Sequence, residues 1–177
     1  MPYEAWTFEV IQRCHFKAHP CQNCGKAKTN PIHRGDKPEC EYKRKLGCAV
    51  CGKAKGHEDH MGAAPSLNIL GSGNARAYMN LKKSWEALLM SYLVRLDIPK
   101  GMESVVVSAL VVFPNLTHRD EGNIRFLLEK CMGDVLQEGG WIGDDCFYPT
   151  RKYTFGQLEA EHRPGVAGVI FTVSTGS

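Results

Sequence analysis

Large apolar and polar residues alternate from Trp6 to Val10, which predicts a strand. From Ala75 to Leu96 the period changes. Tyr78, Leu81, Trp85, Leu88, Leu89, Tyr92, Leu93 and Leu96 fall on one face of a helix, and Pro99 and Gly101 end it. Ser104–Phe113, SVVVSALVVF, is a dense β-branched run and predicts a buried strand. Asp120 or Asn123 caps a second predicted helix, which holds Phe126, Leu127, Lys130, Cys131, Asp134, Val135 and Leu136 and stops at Gly139-Gly140. Arg151–Phe155 and Val166–Val173 predict two closing strands. The order is strand, insert, helix, strand, helix, strand, strand. It predicts an α+β domain with a helix pair packed on a short mixed β-sheet.

Residues 13–62 do not fit this pattern. They have little apolar periodicity and are rich in Cys, His, Gly and Lys. Residues 63–74 follow as a loop, with Pro65, Gly71, Gly73 and Asn74 as turn signals. The domain expected from the pattern is therefore 1–12 with 63–177, interrupted by a module at 13–62.

Composition sharpens the contrast. Six of the eight cysteines lie between Cys14 and Cys51, and five of the seven histidines between His15 and His60. A chain of 177 residues buries enough surface to fold without disulfides. No apolar run approaches a membrane span, and no secretory signal is visible at the start, so a cytoplasmic setting is expected. There, paired cysteines point to metal ligands rather than disulfides. The net charge of +3 is unevenly spread: Arg13–Lys55 holds eleven Lys/Arg against Asp36, Glu39 and Glu41, and the remainder is net acidic. A basic segment beside an acidic domain points to a polyanion partner, most simply nucleic acid.

The module contains a repeat. Cys21-Gln22-Asn23-Cys24-Gly25-Lys26-Ala27-Lys28 recurs as Cys48-Ala49-Val50-Cys51-Gly52-Lys53-Ala54-Lys55. Two residues between cysteines let both thiolates reach one ion, and the following glycine permits a positive φ. The matched pairs favour a single structural Cys₄ zinc site, Cys21, Cys24, Cys48 and Cys51, similar to a zinc ribbon. A two-site assignment stays open: Cys21, Cys24, His33 and Cys40 in one, and Cys48, Cys51, His57 and His60 in the other. In either case Cys14 and His15 are spare.

In the acidic half, Arg119-Asp120-Glu121-Gly122-Asn123 precedes the second helix and Asp144-Asp145 follows it. Carboxylates that converge need a cation, and hard oxygen donors suit Mg²⁺ or Mn²⁺. Spacing alone equally fits capping at Asp120 and Asn123, and a turn at Asp144-Asp145.

Arg119-Asp120-x-x-Asn123, Lys130-x-x-x-Asp134 and Gly140-Trp141-x-x-Asp144-Asp145, in this order, resemble the RusA-like Holliday junction resolvases. Pro65-Ser66-Leu67-Asn68 resembles the segment after that family's first strand. The resemblance covers Trp6–Gln12 and about 63–173, and leaves 13–62 as a zinc-binding insertion. It implies a homodimeric, Mg²⁺-dependent endonuclease that cuts branched DNA, with no small-molecule cofactor. Asp120, Asp145 and Asp144 match the family's aspartates, and Lys130 its essential lysine. The chain departs in two places. Gly122 stands where the family has a second aspartate, for which Glu121 is the nearest substitute, and four extra residues separate Asn123 from Lys130.

Two other readings follow from the residues. Asp59-His60 after zinc knuckles resembles HNH endonucleases, with His60 activating water, although no C-x-x-C follows it. A non-catalytic zinc-ribbon DNA-binding protein is the other. Cys131 is expected in the core, Cys146 in a loop, His118 and His162 at the surface, and Trp85 and Trp141 in packing.

Overall fold

The computed structural model describes residues 4–15, 17–34, 40, 46–55, 57–65, 75–115, 120–143 and 153–175. The chain divides into two compact units, Met1–Ile11 with Gly62–Ser177 and Gln12–Met61.

The larger unit is α+β. Its elements are β1 (Ala5–Ile11), α1 (Ala75–Leu93), β2 (Val105–Phe113), α2 (Glu121–Glu138), β3 (Tyr153–His162) and β4 (Gly168–Thr175). The four strands form one mixed sheet in the order β1-β4-β2-β3, with β2 and β3 parallel and the other neighbours antiparallel. A parallel neighbour needs a crossover, and α2 supplies it. The central place of β2 explains its apolar run: Val105, Val107, Ala109 and Val111 are all buried.

Aromatic rings join α1 to the sheet. Phe8 pairs in register with Phe171 and stacks on it at 5.3 Å, and Tyr92 of α1 stacks on Phe8 at 5.7 Å. At the opposite edge of the sheet Tyr153 donates from its hydroxyl to Glu129 O at 3.0 Å. There a Cβ on Gly133 would come within 3.1 Å of the Tyr153 ring, so the glycine permits the close approach of α2 to β3. Trp85 and Trp141 are both buried, as is Cys131. Cys131 sits where burial pushes its thiol up to about 12.

One strand runs past its expected end. The sequence pattern ends it at Phe155. The ladder instead shifts register there, from Val107↔Phe155 to Ala109↔Leu158. One extra residue is accommodated as a bulge, where Gln157 N–H faces Ser108 Oγ at 3.4 Å. The polar residues beyond it, Glu159 and Glu161, suit an edge strand. Among the described residues no helix is long and apolar enough to cross a membrane.

Candidate metal centres

In the smaller unit the repeat folds twice into the same turn. Gly25 N–H donates to Cys21 O at 2.8 Å and Cys21 N–H to Lys26 O at 2.9 Å. In the second copy Gly52 N–H donates to Cys48 O at 2.8 Å and Cys48 N–H to Lys53 O at 2.9 Å. Gly25 and Gly52 have φ of 68° and 74°, values that side chains resist. The turn holds two thiolates, three residues apart, at one point.

The correspondence extends beyond the eight residues that match in sequence. Short 3-10 turns follow at Pro31–His33 and Glu58–His60. Asn30 caps the first, its side chain accepting from Ile32 N–H at 3.3 Å. His57 caps the second, its Nδ1 accepting from Asp59 N–H at 3.2 Å. Every position in one copy thus lies 27 residues from its counterpart, and the histidine ligands His33 and His60 are counterparts too.

Two groups of four ligand atoms result. Cys21, Cys24, His33 and Cys40 form one; Cys14, Cys48, Cys51 and His60 form the other, and within each all atoms lie within 4.8 Å of one another. In the first, Cys24 Sγ is 3.1 Å from His33 Nε2 and Cys21 Sγ 3.9 Å from Cys40 Sγ. In the second, Cys51 Sγ is 3.1 Å from His60 Nε2 and Cys14 Sγ 3.8 Å from Cys48 Sγ. A tetrahedral ion with Zn–S of about 2.3 Å spaces its sulfurs about 3.8 Å apart. Both Cys₃His sets fit structural zinc, with no open position for a substrate.

The single Cys₄ site is therefore replaced. Cys21-Cys24 and Cys48-Cys51 belong to different groups, because each knuckle meets its own histidine one short turn later. Of the two-site assignment, Cys21, Cys24, His33 and Cys40 come together as expected. In the second set Cys14 takes the place given to His57, whose Nδ1 is engaged in capping. Extending the repeat by five residues, from Lys28 to His33 and from Lys55 to His60, finds both histidines. Only the tertiary structure finds Cys14.

The surroundings are arranged for the bound state. Burial would raise the Cys48 thiol, but the N–H groups of Lys17, Cys51 and Val50 outweigh it and lower the thiol to about 5. Lys17 N–H lies 3.3 Å from this sulfur. Burial, then the neighbouring sulfurs, push Cys14 and Cys40 up to about 11. A dication removes that cost by pairing with the thiolates. His60 Nδ1 lies 2.7 Å from Ala54 O, a donation that directs Nε2 to the ligand group. With both ring nitrogens engaged, His60 has none left to activate water as the HNH-like reading requires. Asp59 pairs instead with Lys53, whose hydrogen bond leads in holding its carboxyl below the usual range.

The acidic constellation lies in the larger unit. Asp120 is the cap of α2: it accepts from Asn123 N–H at 3.2 Å and from Asn123 Nδ2 at 2.8 Å. Glu121 lines a cavity of about 240 Å³ with Ile124 of α2, Val111 and Phe113 of β2, and Leu158 and Glu159 of β3. Glu159 is a carboxylate that the sequence pattern did not single out. Lys130 lies ten residues from Asp120, about 15 Å along the helix axis, and its Nζ contacts Asp134 Oδ1 at 2.7 Å. The structure does not bring Lys130 and Asp120 together. Asp144 and Asp145, like Arg119, His118, Cys146 and Ser66–Asn68, lie outside the described residues. Among the described residues, the groups of three or more convergent ligands are the two Cys₃His sets. No family model matches this chain and no curated protein matches it, so its function is read from the residues themselves.

Proposed function

We propose that the protein is a Mg²⁺-dependent, structure-selective endodeoxyribonuclease of RusA-like fold that acts on branched DNA, with a two-zinc module as an accessory. The observation that carries this reading is the position of Asp120 and Glu121. They open α2 where β2 and β3 end, and Glu121 shares a cavity with Glu159. Carboxylates at the start of a packed helix are held on a rigid scaffold, as a metal-dependent site requires. The order of elements agrees with the resemblance: a strand, an inserted module, then helix, strand, helix and two strands.

Asp120, Asp145, Asp144 and, more weakly, Glu121 would hold Mg²⁺ or Mn²⁺. The ion, when bound, supplies an activated water and stabilises the leaving oxygen. The resemblance sets Lys130 at the scissile phosphate, but it stands about 15 Å along α2 from Asp120, so it would contact a backbone phosphate away from the cut. In the zinc module Arg13, Lys17, Lys26, Lys28, Lys53 and Lys55 are exposed. They add salt-dependent backbone affinity without reading sequence. A homodimer would place two sites on opposing strands of a junction.

The test is cleavage of a synthetic four-way junction in Mg²⁺ by the wild type, Asp120→Asn and Asp145→Asn. Loss of cleavage in both variants is expected. Cleavage equal to wild type in both rejects this active site. A second reading, a DNA-binding protein without catalysis, is favoured by Gly122 in the place of the family's second aspartate. It predicts junction binding with no cleavage in any divalent metal.

A further inference from the structure

The ligand sets contain a second regularity. Read along the chain, the eight ligands form two repeats, Cys14-x₆-Cys21-x₂-Cys24-x₈-His33 and Cys40-x₇-Cys48-x₂-Cys51-x₈-His60. The simplest expectation is two self-contained Cys₃His fingers, each holding its own ion. The structure exchanges the leading cysteines. Cys14 of the first repeat joins Cys48, Cys51 and His60; Cys40 of the second joins Cys21, Cys24 and His33.

The exchange is symmetric in detail. Cys40 N–H donates to Ile32 O at 3.1 Å, and Cys14 N–H donates to Asp59 O at 2.7 Å. Ile32 and Asp59 are counterparts, each immediately before the histidine ligand. The lent segment is also held beyond its cysteine. Ala49 N–H donates to Lys17 O at 2.7 Å, Lys17 N–H faces Cys48 Sγ, and Ala18 bridges Cys48. Among the described residues of this unit the buried side chains are Cys21, Cys48 and His60, all of them ligands. The described residues thus supply no apolar core to order one repeat before metal arrives.

We infer that the two sites fill as one coupled unit, because each repeat supplies the ligand that completes the other's site. Cys14 and Cys48 are 34 residues apart in the chain. Once an ion joins Cys21 to Cys40, the remaining path runs through seven residues on one side and eight on the other. Loop closure alone then makes the second ion bind about threefold tighter. Ordering of the shared segments by the first ion adds to this. By linkage the effect is the same whichever site fills first. The inference concerns metal loading and is independent of nuclease activity.

The test uses the full-length chain, reduced and stripped of metal, titrated with Zn²⁺ and followed by native mass spectrometry. At half saturation the one-ion species is expected at about a third of molecules or less. A half or more, as independent sites give, overturns the coupling. Connectivity is checked on the fully loaded wild type with ¹¹³Cd, correlating each cadmium with cysteine β-protons. Cys14 is expected on the same cadmium as Cys48 and Cys51, and Cys40 with Cys21 and Cys24. Cys14 on one cadmium with Cys21 overturns the exchange. Cys14→Ser is expected to weaken both ions, whereas self-contained fingers leave the Cys48-Cys51 site at full affinity.

Discussion

Lys130 and Asp134 lie one turn apart on α2 and meet at 2.7 Å, and the other oxygen of the same carboxylate holds Lys82 of α1 at 2.7 Å. Lys82 also pairs with Glu86 on its own helix. One carboxylate thus joins the two helices, and Lys130 must exchange a protein partner for any phosphate it contacts.

Asp134 should make the fold sensitive to acid. Burial opposes its charge, but Lys130 and Lys82 outweigh burial and hold its carboxyl below the usual range. With a lowered folded pKa, the stabilisation is complete above the unfolded value of about 3.9 and is lost as pH falls through the folded value. Asp134→Asn is expected to cost about 1 kcal/mol at pH 7, after allowance for solvent screening, and nothing once both states are protonated. Urea unfolding of wild type and variant at pH 7, and then at pH values stepped down from the unfolded value of about 3.9, follows the loss of this difference.

Asp120 separates capping from catalysis. Asparagine caps as well as aspartate does, and alanine costs about 1 kcal/mol. Asp120→Asn should therefore keep the wild-type melting temperature and lose junction cleavage, while Asp120→Ala loses both. Full cleavage by Asp120→Asn would reduce this residue to a cap.

Gly122 offers the converse experiment. A Cβ there meets only Asp120 Oδ1, at 3.5 Å, so the glycine is not demanded by packing. Gly122→Asp should stabilise α2 by about 0.5 kcal/mol through lost backbone freedom and a charge in the first turn. It should also raise cleavage in Mg²⁺ if the family's second aspartate is what the site lacks. Thermal melts and single-turnover rates read the two effects independently.

Gly139 is constrained by its neighbour. Its φ of −75° suits any residue, yet a Cβ would sit 2.0 Å from Cζ3 of the buried Trp141. Lys100 covers the same ring, with Nζ 3.5 Å from its centroid. Gly139→Ala should cost about 1–3 kcal/mol by overpacking. A shift in tryptophan emission would accompany the loss.

Metal removal should divide the molecule. Elemental analysis is expected to give two zinc ions per chain, and a value near one would restore a single site. Chelation should erase hydrogen-exchange protection in Gln12–Met61 and leave it in β2 and β4, whose core of Val107, Val111, Phe171 and Val173 uses no metal.

The sequence by itself determined the element order and the α+β class. Hydrophobic period decides whether a segment is helix or strand, and that period is local. The same holds for the knuckles, because two cysteines and a glycine encode one turn wherever they stand. Residue type also made a metal module legible. The tertiary structure decided which ligands share an ion. Cys14 and Cys48 are far apart in sequence, and nothing in either local pattern says that Cys14 passes its own knuckle to complete the other. It also assigned His57 to a cap and Lys130 to Asp134, because those roles depend on what lies opposite in space. Pairing across a long loop is fixed by which backbone groups meet, here Cys14 with Asp59 and Cys40 with Ile32.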